Sequence, residues 1–389
     1  MNHSAAYKGN FGFNSIHRPI SLHDLHNDQS FLQTGRSNKT LYRNIIIRVF
    51  TILLFLGNSV ASAQSFFVDK KKFFTDEPIL EMTLVADFRK LINEKLRKDY
   101  KTNFLPATIT CLFTDSLKVT QDIAIRARGE FRRGECYMPP IMVSFKSPKK
   151  GVLNSLGRLK LVWPCGSNKY DEQLLLKEYL VYKIYNLLTE KSFGVRLVKM
   201  RYQDINDKLK SQSRYSFFIE DVDEMAKRNN CVEIESKVFH TQSTAREQTT
   251  LLALFQYMVG NIDWAVPVYK NLKLMHNISD TFSVPIIVPY DFDYCGLVNA
   301  SYAVPPPELS IISVRQRVYR GFPRSMKEVQ SALQVFRCQR QRIDSLVMNF
   351  ELLTPDNRKD MSNYLNSFFK QIEKEKEVMD IFIEHARKN

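Results

Sequence analysis

The chain has only six cysteines in 389 residues, and no two of them form a C-x-x-C pair. Structural zinc sites usually draw on such pairs, so none is expected. His17, His23 and His26 show no fixed ligand spacing either, which argues against a metal site near the N-terminus. There is no internal repeat and no low-complexity run, so repeat arrays and biased-composition segments are set aside. A membrane-spanning helix needs about 20 apolar residues. The apolar run at 49–63 has 15 and contains Asn58. No G-x-G-x-x-G phosphate-binding loop is present.

What is present begins with an export pattern. Arg43 and Arg48 precede the run from Val49 to Leu56, Gly57 and Asn58 break it, and Ala61-Ser62-Ala63 fits the small-x-small cleavage site. The sequence therefore predicts a signal peptide at 40–63, cleaved before Gln64, and a periplasmic or secreted protein with no transmembrane anchor. No Cys follows the cleavage site, which argues against a lipid anchor. Residues 1–39 are polar and lack hydrophobic periodicity; they read as a disordered leader, with the start codon assigned too far upstream.

Residues 1–63 carry six Lys or Arg against two Asp or Glu, so +11 of the net charge of +15 belongs to the 326 residues that follow. That length can bury a sizeable core in one large domain or two lobes. The basic balance suits anionic partners, with no nucleic acid expected for an exported chain. All six cysteines lie after residue 63. Cys136 and Cys165 could bridge two strands of one sheet, or the cysteines could be buried free thiols.

Alternating apolar residues at 107–113 and 117–126 predict a β-hairpin. Further strands are expected at 141–145, 158–163, 195–202 and 215–219. Leu174, Leu175, Tyr179, Tyr182, Ile184 and Leu188 stand at helical spacing within 171–189. In the second half a helix is expected at 246–259, stopped by Gly260-Asn261. Strands at 272–275 and 284–288 and helices at 327–347 and 356–385 follow. The expected organisation is an N-terminal extension at 64–104, a sheet-rich lobe at 105–220 and a helical lobe at 221–389 carrying the catalytic segment. This is an α+β, protein-kinase-like two-lobed fold with an antiparallel-sheet N-lobe and a mostly helical C-lobe.

The stretch Gly260-Asn261-Ile262-Asp263-Trp264, then Asn271, then Asp291-Phe292-Asp293 has the residue types that phosphoryl transfer uses. One carboxylate orients a hydroxyl, while an Asn and a second carboxylate hold magnesium. Lys160 on a strand and Glu178 in the following helix are placed to form the ion pair that holds nucleotide phosphates, with Lys146 as the substitute lysine. Glu220 ends a strand at the hinge position. Arg126, Arg128, Arg132 and Arg133 flank Gly129 and Gly134 and can clamp phosphate in place of a glycine-rich loop. Arg315, Arg317 and Arg320 read as a solvated helix face.

These pieces, together with Ile125–Gly129, Leu159–Val162, Leu176–Tyr179 and Phe218–Asp221, resemble the spore-coat kinase (CotH-like) family in a divergent exported branch, over roughly 106–350. The resemblance implies an atypical kinase that transfers phosphate from ATP, with magnesium, to a protein or acidic acceptor. It implies Asp263 as the catalytic residue and Asn271 and Asp291 as metal ligands with Asp293 beside them. Lys160, Glu178, Arg128 and Glu220 would then bind nucleotide. The chain departs from the usual pattern in the eight-residue step from Asp263 to Asn271 and in Asp-Phe-Asp. A nucleotide-binding pseudokinase and a non-enzymatic basic envelope protein are the rival expectations.

Overall fold

The computed structural model describes residues 68–75, 78–114, 117–147, 151–234, 240–280 and 282–387. The leader at 1–39 and the signal peptide at 40–63 lie outside the described residues. The elements are α1 (Lys70–Thr75), β1 (Leu80–Ala86), α2 (Phe88–Glu94), β2 (Leu105–Thr114), β3 (Leu117–Ala127), α3 (Phe131–Glu135), β4 (Ile141–Ser144) and β5 (Arg158–Val162). They continue with α4 (Lys169–Leu188), β6 (Val195–Asp204), β7 (Gln212–Ile219), α5 (Val222–Arg228), β8 (Cys231–Glu233) and α6 (Arg246–Val259). The rest are β9 (Leu272–Asn277), β10 (Ile286–Pro289), α7 (Met326–Met348), α8 (Pro355–Ile372) and α9 (Glu375–Met379).

β1, β2 and much of β3 alternate buried and more exposed residues, as half-buried strands do, because successive side chains point to opposite faces. Leu80, Met82, Leu84 and Ala86 of β1 face inward, as do Leu105, Ala107, Ile109 and Cys111 of β2. The strands join in the order β1-β2-β3-β4-β5-β7-β6, and β6 returns to pair with β1 in parallel, Leu80 opposite Val198. The sheet is thus a closed barrel around Leu84, Ile109, Ile125, Val143, Leu161 and Phe218.

The closed barrel corrects the expected architecture. A kinase-like N-lobe is an open sheet, and that expectation left residues 80–86 in an extension outside it. Here β1 pairs along both its edges, antiparallel to β2 and parallel to β6, so no edge is left to open. The kinase-like two-lobed fold is not what this chain forms.

The second core is built around α4, α6, α7 and α8 with the small sheet β10-β9-β8. Asn168 caps α4 by accepting from the Asp171 N–H at 2.8 Å. Ser325 and Glu328 form a capping box at the start of α7. The α6 helix ends at Gly260, whose φ of 68° is left-handed. A Cβ there would collide with the Tyr364 hydroxyl, so conformation and space both require glycine. Among the described residues, no helix is long and apolar enough to cross a membrane.

Cys136 and Cys165 form a disulfide. Cys136 follows α3 and Cys165 follows β5, so the bridge ties a helix end to a loop rather than strand to strand. Cys111, Cys231, Cys295 and Cys338 are free thiols.

Candidate functional site

A cleft of about 360 Å³ lies where the β3–α3 loop, β5, α4 and the segments around β9 and β10 meet. Its walls carry Arg128, Arg132, Lys160 and Lys270 together with Glu130, Glu178, Asp263, Asp291 and Asp293.

The β3–α3 loop is held rigidly. Gly129 turns the chain at φ 82°, and the Arg128 N–H donates to the Pro140 carbonyl at 2.9 Å. Arg133 donates to the Gly129 and Lys95 carbonyls at 2.8 and 2.6 Å and lies over the Tyr100 ring. This presents Arg128 and Arg132 to the cleft. Arg132 donates through Nη2 to the Trp163 carbonyl at 2.6 Å, and its Nη1 is 3.6 Å from Glu178. Arg128 is different. Its buried Nε, like that of Arg132, has no hydrogen-bond partner among the described residues, but unlike Arg132 its guanidinium has no ion pair among them either.

Lys160 reaches the cleft from β5, with its ammonium 4.7 Å from the centre of the Tyr290 ring. Burial lowers its pKa to about 8, and the neighbouring Arg128 and Lys273 charges add to that shift. The expected Lys160–Glu178 ion pair is not formed. Glu178 pairs with Arg132 instead, because α3 brings that guanidinium to the same helix face. Lys146 is exposed. Glu178 and Tyr182 stand one turn apart on α4 and share the face that looks into the cleft.

Phe292 is fully buried between Tyr182 and Phe255, with ring centres 4.7 and 5.6 Å away. It anchors Asp291 and Asp293 on either side. Asp291 has φ 65°, a left-handed conformation uncommon outside glycine, and its N–H donates to the Tyr182 hydroxyl at 2.8 Å. Asp293 accepts from Tyr302 at 3.0 Å. Asp263 is ion-paired with Lys270 and accepts from the Asn271 amide at 2.8 Å. Glu220 does not line the cleft. It accepts from the Gly194 N–H at 2.8 Å and pairs with Arg228 at 3.0 Å. Arg315 pairs with Asp360, while Arg317 and Arg320 donate to the Met258 and Ile262 carbonyls; these arginines tie the fold together rather than forming a solvated face.

The carboxyls divide by environment. Burial raises the Asp293 pKa to about 7, with the Asp291 charge adding to it against Arg132. Burial likewise pushes Glu178 well above the usual carboxylate range, helped by Asp293 and opposed by Arg132. Arg132 itself is driven upward. Burial opposes its charge, but Tyr302, Asp293 and Glu178 outweigh that. The pair is thus favourable for the guanidinium, while the carboxyl stays costly because it also faces two other carboxyls. Four cations, Arg128, Arg132, Lys160 and Lys270, line the cleft with five carboxyls, Glu130, Glu178, Asp263, Asp291 and Asp293. The upward shifts of Glu178 and Asp293 weaken the negative side of that balance.

The chain matches no protein-family model, no curated protein and no solved structure. Membership of the spore-coat kinase family, inferred from short motifs, is corrected by the closed barrel, which is not the open-sheet lobe that family would bring. The magnesium site is corrected too. Among the described residues, no group of three or more His, Cys, Asp or Glu side chains is arranged to hold a metal ion. Asn271 is turned to Asp263, and Asp293 to Tyr302, rather than toward a shared centre. Without that site, phosphate transfer from ATP to a protein or acidic acceptor loses its basis, and so does the pseudokinase that would share it. A purely structural envelope role leaves the converging charges of the cleft unexplained. Lys270, Tyr290 and Tyr302 were not singled out in the sequence. Tyr182 had one usable signal, its position one helical turn beyond Glu178.

Proposed function

We propose that this protein binds a small anionic molecule in the cleft, with Arg128 and Lys160 holding the anionic group. The observation that carries the reading is Arg128, a guanidinium that has no ion pair among the described residues and that lines, beside the ion-paired Arg132, a cleft of small-molecule size. Leaving a buried charge uncompensated costs several kcal/mol, and an oxyanion or carboxylate placed against the guanidinium fork would offset that. Burial lowers the Arg128 pKa, as expected of a cation awaiting a partner. The volume suits a compound of roughly drug size or smaller.

The test is thermal unfolding in a series of sodium salts at constant ionic strength: chloride, sulfate, phosphate, oxalate and citrate. At about 100 times its dissociation constant, the right anion should stabilise the fold by ~2.7 kcal/mol. Binding should tighten as pH falls from about 8 to 6, because Asp293, at about 7, takes up its proton in that window and a negative charge leaves the cleft. Arg128→Met should abolish the effect while Arg126→Met keeps it. Equal response to every salt, chloride included, would remove the reading.

Export is the second part of this reading. It is supported by the Ala61-Ser62-Ala63 site after a short apolar run and by the Cys136–Cys165 disulfide, a bond favoured in oxidising compartments. N-terminal sequencing of the protein recovered outside the cytoplasm should begin at Gln64. A chain still carrying Leu53 would contradict it.

A further inference from the structure

The geometry points to Lys160 as a nucleophilic amine that forms an imine with a small anionic aldehyde or keto acid bound in the cleft. This rests on the anion-binding reading and narrows it to carbonyl compounds. Three observations place the amine. Lys160 lines the cleft from a barrel strand paired on both sides, to Met142 of β4 and Ile219 of β7, so its backbone is fixed. Among the described residues it makes no ion pair and lies instead over the face of Tyr290. Arg128 lines the same cleft, near enough for its charge to act on the Lys160 ammonium, and a carboxylate bound there would bring the carbonyl beside it toward the amine. A lysine desolvated next to a second cation is the arrangement that activates an amine at neutral pH.

The groups acting electrostatically on the Lys160 ammonium come from several elements. Arg128 after β3 and Lys273 on β9 oppose its charge, while Asp291 after β10 and Asp221 after β7 favour it. Burial is the larger influence, and the pKa of about 8 leaves roughly two- to three-hundredfold more neutral amine at pH 7 than an ordinary lysine has. The neutral nitrogen adds its lone pair to the carbonyl carbon, forming a carbinolamine. The nitrogen then loses its proton, the oxygen departs as water, and a C=N bond remains. No oxidant or reductant is consumed, and water returns the free amine.

The experiment treats the full chain with glyoxylate and sodium cyanoborohydride at pH 7, then maps the reduced adducts by peptide mass spectrometry. Lys160 should be modified at least about tenfold faster than the average exposed lysine. The rate should rise with pH to a plateau above about 8, whereas exposed lysines should keep rising. Propionaldehyde, which has no anionic group, should label Lys160 more slowly, and Arg128→Met should slow glyoxylate without slowing propionaldehyde. Adducts spread over surface lysines with none favoured at Lys160 would overturn the proposal. Sulfate or oxalate stabilisation without a Lys160 adduct would overturn it and leave anion binding standing. A selective adduct that is indifferent to Arg128→Met would instead keep the nucleophile and remove the anion reading. The mapping uses the unaltered protein, so it does not depend on any variant folding.

Discussion

Replacing Arg132 by Met should destabilise the protein by about 3–5 kcal/mol at pH 8 and by much less at pH 5. Arg132 is the cation nearest Glu178, whose side chain is only 3% exposed. Removing it strands a buried carboxylate. The pH dependence follows from the direction of the Glu178 shift. Its folded pKa lies above its unfolded value, so as pH rises past about 4.3 the unfolded chain gives up this proton first and stability falls. Asp293 acts in the same sense between about 4 and about 7. The upward shift favours the protonated Glu178 in the folded protein as pH falls, so the missing cation matters less at pH 5. Adding Glu178→Gln to Arg132→Met should restore most of the loss at pH 8. Urea unfolding of the three variants at both pH values measures this. A penalty equal at pH 5 and pH 8 would mean that Arg132 matters for packing and not for the charge of Glu178.

Phe292→Ala should cost about 3–5 kcal/mol in urea unfolding, the range for emptying a fully buried aromatic site. The ring contacts Tyr182 and Phe255, so little nearby can collapse into the void. The same change should weaken anion binding in any fraction that remains folded, because Phe292 fixes the carboxylates on both sides of it. Tyr182→Phe separates the two effects. It keeps the ring packing and removes only the oxygen that accepts from the Asp291 N–H. Its stability loss should be near 1 kcal/mol, the net worth of one hydrogen bond. A Phe292→Ala loss under about 1 kcal/mol would show that the turn does not depend on this anchor.

Local periodicity was readable along the chain. The β2–β3 hairpin announces itself by alternation, α4 and α6 by helical spacing, and the end of α6 by Gly260. Each of those signals lies within a few residues of what it describes. Barrel closure does not. The segment Leu-Glu-Met-Thr-Leu-Val-Ala of β1 is short, and its two partner strands lie well apart along the chain. Nothing local states that both its edges are used, and an open sheet was the natural inference.

The site divides the same way. Lys160 and Glu178 drew attention as a lysine on a strand and a glutamate in the helix after it, and Asp291 as the aspartate of a turn after a strand, and they do line one cleft. Their partners were not legible. Arg132 reaches Glu178 only because α3 is folded back and tied through Cys136 to Cys165. Asp263 is matched by Lys270 across a turn that ends at Asn271 with φ 55°. Glu220 drew attention as the residue that ends a strand at a hinge position. Its carboxylate is consumed by Gly194 and Arg228 away from the cleft. A motif of single residues names the chemistry available, but not which charges neutralise one another.

The parallel pairing of β1 with β6 also sets an order of events for folding. As the chain is synthesised from its N-terminus, β1 emerges early and can pair at once only with the nearby β2. Its other edge must wait for β6, after the intervening strands and all of α4 have appeared. Until then the growing sheet has two unsatisfied edges able to recruit other chains. Pairings this distant in sequence form slowly, because loop entropy is lost before contacts are gained. The late step of folding is therefore the closing of the β1–β6 seam, and aggregation during overproduction should begin from that seam.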